Sequence, residues 1–208
     1  MKKKVVAAVM AGMMVMALGG CSMLLGPQLG EKKTISVFED TLDAEEMDPE
    51  DLIECIEEND YEDVEDGVWA KMDKSDSKDA VKAMQLNAFM AEAKHVESSL
   101  VYLKTNPLYE EDRYAFFMTV LEFKDVDDAD DFFDDTIDLW EETSDDVEFD
   151  DEDKLTQAYV CLEDDDLEVY AGVYKNGNRV LYVVDINAED DLDDACEAFN
   201  VNSPTSVK

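Results

Sequence analysis

The chain has 208 residues, with 55 acidic side chains against 17 basic ones and a net charge of −38 at pH 7. Nucleic-acid binding relies on Lys and Arg neutralising phosphates, so this balance excludes nucleic acid as a partner. The length fits one domain with a core of its own, and the acids alternate with regularly spaced Phe, Trp, Tyr, Val and Leu, a pattern of folded rather than disordered chain.

Lys2, Lys3 and Lys4 open the chain, followed by an apolar run from Val5 to Leu18 and then Leu18-Gly19-Gly20-Cys21-Ser22. A charged start, a short apolar stretch and small residues before a cleavage point are the parts of a secretory signal. The apolar run is shorter than the roughly 20 residues that a membrane-spanning helix needs. Leu-Gly-Gly-Cys resembles the lipobox of bacterial lipoproteins. The resemblance implies cleavage after Gly20, lipidation of Cys21, and anchoring at the extracytoplasmic face of the cell membrane. Residue 22 is Ser, not the Asp that serves some double-membrane bacteria as an inner-membrane retention cue. Without the three leading lysines, 14 basic residues face 55 acidic ones. Anionic headgroups repel such a chain as a whole, so two or more acyl chains must hold it.

Residues 21–33 read as a lipidated tether in which Met23, Leu24 and Leu25 can lie against the bilayer. A single acidic domain is expected over 34–200, with a loose tail over 201–208. Asp48-Pro49-Glu50-Asp51 starts a helix, with Asp48 as cap and Pro49 in the first turn, and Leu52, Cys55 and Ile56 keep helical spacing to about Asn59. Residues 60–79 read as polar and turn-like, with Val68, Trp69 and Met72 dipping into the core. Over 78–93 the alanines and the spacing of Leu86, Phe89, Ala93 and Val96 favour a helix. Alternation at Met84, Leu86, Ala88 and Met90 fits a strand equally well. A strand follows over 97–104.

From Arg113 to Phe123 the chain is strand-like. Asp125-Val126-Asp127-Asp128 then opens an amphipathic helix that carries Ala129, Phe132, Phe133, Thr136, Ile137 and Trp140 on one stripe. Three strands are expected at Leu155–Glu163, Leu167–Tyr174 and Arg179–Ile186, the last two joined by an Asn176-Gly177 hairpin turn. A final helix, Asp190 to Phe199, buries Leu192, Ala195, Cys196 and Phe199. The order β-α-β-β-β-α points to an α+β fold, a mainly antiparallel sheet with helices on one face.

Candidate sites are few. Asp145, Asp146, Glu148, Asp150, Asp151 and Asp153 lie in an acidic loop, where converging carboxylates can hold calcium; the loop lacks the glycine pattern of an EF-hand. Against this stands a plain solvated surface. Tyr170, Tyr174 and Tyr182 on the hairpin, with Lys175 and Arg179 nearby, form either cross-strand pairs or an aromatic, anion-orienting patch. Cys55, Cys161 and Cys196 fall at apolar positions and read as buried thiols, with one disulfide as the alternative. His95 is the only histidine, and no Gly-x-Ser-x-Gly elbow or phosphate-gripping loop accompanies it. The sequence therefore favours a lipid-anchored, non-catalytic binding module of the cell envelope, with an extracytoplasmic protein or glycan as partner. A cation-binding or structural envelope protein is the second reading, and a hydrolase using two carboxylates the third.

Overall fold

The computed structural model describes residues 26–58, 64–85, 90–105, 114–143, 156–164, 167–187 and 189–206. Five α-helices and seven strands are built from them: α1 (Glu31–Ser36), β1 (Glu45–Glu46), α2 (Pro49–Glu58), β2 (Val68–Met72), α3 (Lys74–Gln85), β3 (Val96–Thr105), β4 (Ala115–Phe123), α4 (Val126–Thr143), β5 (Gln157–Asp164), β6 (Leu167–Asn176), β7 (Arg179–Ile186) and α5 (Glu189–Phe199). A π-helical turn, Val37–Thr41, continues α1, and a 3-10 turn, Pro204–Ser206, follows α5.

The strands form one sheet in the order β1-β2-β3-β4-β7-β6-β5. Only the two-residue β1 runs parallel to its neighbour; every other pairing is antiparallel. This is the α+β architecture expected, with one enlargement. Helices cover both faces of the sheet rather than one. Val180, Tyr182 and Val184 of β7 face a core shared with Leu52 of α2, Ala80 of α3 and Phe132 and Trp140 of α4. Leu181 and Val183 face a second core, shared with Val37, Phe38 and α5 residues Leu192 and Phe199. The physical reason lies in the strand sequences. Val180, Leu181, Tyr182, Val183 and Val184 of β7 are all buried, so apolar side chains stand on both faces, and a sheet covered on one side only would leave a wide apolar face in water.

Three Asp side chains start the helices of the first face. The Asp48 carboxylate accepts the Glu50 N–H, Asp73 those of Ser75 and Asp76, and Asp125 that of Asp128, each supplying an acceptor to a first-turn donor. The turn between β6 and β7 has the register Asn176↔Arg179, with Gly177 at φ 62° as the first loop residue and side-chain bonds on both sides. Asn176 Nδ2 donates to the Pro27 carbonyl, and Asn178 Nδ2 to that of Phe123.

Several boundaries move relative to the sequence reading. Residues 68–72, read as turn-like, form β2, and α3 already begins at Lys74; residues 90–94 are not helical. The stretch read as a tether is docked from Gly26 onward. Leu29 is buried in the second core, and Gln28 N–H donates to the Phe199 carbonyl. The stretch read as a loose tail is docked through residue 206, with Pro204 buried.

Candidate functional site

A groove of about 670 Å³ lies where the chain enters the domain. Its walls are Gly26 and Pro27, the start of β5 at Thr156 and Gln157, the last turns of α5, and the segment 200–205. Its shape starts from the end of α5. Asn200 adopts φ 59°, its N–H bonds the Glu197 carbonyl, and Val201 N–H bonds that of Cys196. This is a Schellman close, for which Gly or Asn is suited because the left-handed conformation costs them least. The turn brings Asn200 Nδ2 to the Gly26 carbonyl at 3.2 Å. One residue type thus ends the helix and fastens the entering chain.

The opposite wall depends on Tyr174. Its ring lies over Gly172, where an added Cβ would sit 2.7 Å from the ring carbon Cε2, so only glycine fits there. The Tyr174 hydroxyl donates to the Asn202 carbonyl at 2.7 Å. Asp193 accepts bonds from Ser203 Oγ at 2.5 Å and Thr205 Oγ1 at 2.7 Å, fixing the segment that follows. The Cys196 thiol faces this region, its pKa pushed up to about 12 by burial. A thiol that stays protonated is no nucleophile. The groove therefore offers amides, hydroxyls and the carboxylates of Asp193 and Glu197, a lining suited to hydrogen-bonding a polar, uncharged or cationic ligand.

The sequence-predicted residues lie elsewhere or divide. Cys21 and the acidic loop Asp145, Asp146, Glu148, Asp150, Asp151 and Asp153 lie outside the described residues. Tyr174 and Tyr182 are fully buried on opposite faces of the sheet, and Tyr170 packs half-buried against the second core. The three tyrosines do not meet in one exposed patch. Lys175 pairs with Asp130 of α4 and lies 5.4 Å from the centre of the Phe133 ring; Arg179 pairs with Glu122 at 2.9 Å. Both rare cations are thus engaged by carboxylates.

Cys55 packs on the first face and Cys196 on the second, so the sheet separates these two. His95, at φ 60°, places Nδ1 2.6 Å from Asp128. Among the described residues no three His, Cys, Asp or Glu side chains gather as a metal site would require.

Sequence reasoning missed the groove because its lining is ordinary: Gln157, Asn200, Asn202, Ser203 and Thr205 carry no motif. The asparagine after the last apolar residue of α5 was a readable signal for the helix end, but not for what it touches. No protein-family model, curated protein or solved structure matches this chain.

Proposed function

We propose that the protein is a lipid-anchored, non-catalytic binding module of the bacterial cell envelope, held at the membrane by acyl chains on Cys21, with the groove beside α5 as its ligand-facing surface. One observation carries the reading. The lipobox-like Leu-Gly-Gly-Cys ends at residue 21, and by Gly26 the chain is hydrogen-bonded to the domain through Asn200, with Pro27 held by Asn176. A signal joined so closely to a folded domain suits attachment of that domain to the surface where the anchor resides. The volume of the groove lies within the range of small-molecule sites, roughly 300–1,000 Å³, and its amide- and hydroxyl-rich lining suits a polar ligand such as a glycan.

The test is metabolic labelling of bacteria that express the full chain with an alkyne fatty acid. The native protein is expected to take up label and to partition with membranes, and Cys21→Ser to do neither. Acyl labelling that persists in Cys21→Ser would sink the reading.

A further inference from the structure

The groove beside α5 differs in composition from the chain around it. Asn, Gln, Ser and Thr make up 28 of the 208 residues, yet six of the twelve that line the groove. Carboxylates, about a quarter of the chain, supply only Asp193 and Glu197 there. The lining is therefore not a sample of the average acidic surface. Amides and hydroxyls converging in a concave site are the groups that hydrogen-bond the hydroxyls of a sugar.

The direction of the hydrogen bonds along one wall narrows the ligand further. Ser203 Oγ at 2.5 Å and Thr205 Oγ1 at 2.7 Å both donate to the same oxygen, Asp193 Oδ1. A hydroxyl has one proton. With those protons committed to Asp193, Ser203 and Thr205 meet a ligand as acceptors, beside the second carboxylate oxygen of Asp193. Glu197, one turn further along α5, adds two more acceptor oxygens, and among the described residues no Lys, Arg or His lines the groove. This wall accepts and does not donate. Donors come from Gln157, whose Oε1 takes the Asn202 N–H at 3.4 Å while its Nε2 keeps two protons. A neutral sugar hydroxyl brings the acceptor wall one proton. A protonated primary amine brings three, has no acceptor of its own, and carries the charge that strengthens hydrogen bonds to carboxylates.

We propose that the groove binds an amino sugar with a free amine. Its ammonium group lies against Asp193, Glu197 and the hydroxyls of Ser203 and Thr205, and its own hydroxyls against the amides of Gln157 and Asn202. This inference rests on the groove being the ligand-facing surface, and adds to that reading the charge and donor pattern of the ligand. It is independent of whether Cys21 carries acyl chains.

The test is hydrogen–deuterium exchange of the full chain in detergent micelles, titrated with glucosamine, glucose and butylamine at matched ionic strength. Glucosamine is expected to slow exchange in peptides covering 193–206, with its half-maximal effect at a concentration about five-fold below that of glucose, the scale of exposed ion pairs. Raising sodium chloride should close that gap. Asp193→Asn keeps an acceptor for Ser203 and Thr205; combined with Glu197→Gln it should bring glucosamine to the level of glucose, with the effect of glucose unchanged. Glu45→Gln with Glu46→Gln, on β1 at the sheet edge opposite β5, removes as much charge and should leave the gap intact. Equal potency of glucose and glucosamine on the native chain would overturn the amine and leave the groove reading standing. Butylamine as potent as glucosamine would overturn the sugar. Slowing by glucosamine spread evenly along the chain would overturn the inference, and no slowing at 193–206 with any of the three would remove the groove reading with it.

Discussion

Two buried tyrosines with opposite fates show what single side chains contribute. The Tyr182 hydroxyl and that of Thr119, its cross-strand neighbour, are buried with no hydrogen-bond partner among the described residues, and the Tyr182 ring packs against Trp140 at 6.3 Å. The Tyr174 hydroxyl donates to Asn202. A buried hydroxyl costs free energy when unpaired and contributes when paired. Tyr182→Phe is therefore expected to raise stability by about 1 kcal/mol and Tyr174→Phe to lower it by a similar amount, read from urea midpoints. Equal losses for both would mean that Tyr182 has a partner, such as a buried water. No sequence pattern separates the two residues. Both are strand tyrosines, and their difference comes from Gly172, which lets one ring fold over the strand to reach the 200s.

At the scale of elements, α4 carries a run of like charges. The Asp134 carboxyl is held above its ordinary range by partial burial, opposed by Lys175 and reinforced by Asp130, Asp138 and Asp131. A carboxyl with a raised folded-state pKa adds stability at low pH and loses that contribution as pH rises through the raised value. Asp134→Asn fixes the neutral form, so its melting temperature should exceed wild type at pH 7, with the gap closing as pH falls below about 4. A constant gap at all pH values would rule out titration as the cause.

The second face gives another test. Phe38 is fully buried and lies 5.5 Å from Tyr102 and 6.4 Å from Trp69, centre to centre. Phe38→Ala should cost about 3–5 kcal/mol, measurable by denaturant melts; a loss under 1 kcal/mol would mean that the π turn after α1 is a dispensable flap.

This is also the scale at which the sequence was most and least legible. Strands β3 to β7 and helices α2, α4 and α5 could be read because their apolar spacing is clean and their caps and turns stand where the chemistry requires. Phe38 could not. It sits in a five-residue π turn that follows a six-residue helix and exposes Glu39 and Asp40, so the segment presents no period. Strand β2 hid for a related reason: Lys71 is its one exposed position and a helix follows within two residues, leaving no turn signal to bound it. Both elements owe their form to the sheet they pack on. The groove was illegible because it is assembled from three distant segments of unremarkable polar residues.

For the whole molecule, self-repulsion dominates. A net charge of −38 destabilises a compact state, and added salt screens it. The melting temperature should therefore climb with sodium chloride, and magnesium or calcium at equal ionic strength should match that climb if screening is the whole effect. An excess specific to calcium would assign it to the carboxylates of 145–153 instead.

The fastening of Gly26 to Leu29 also has a mechanical consequence. A pull on the chain ahead of Gly26 loads the amides of Asn200 and Asn176 and the Gln28–Phe199 bond. It then loads the layer of α1 and the π turn, and only afterwards the long ladders of β3, β4 and β7. The domain should yield like a cover peeled from a board. Optical-tweezer traces are expected to show a first, weaker step releasing the stretch from Gly26 to Ala44, about 60 Å of contour, before the sheet ruptures at higher force. A single-step rupture would mean that cover and sheet give way as one body.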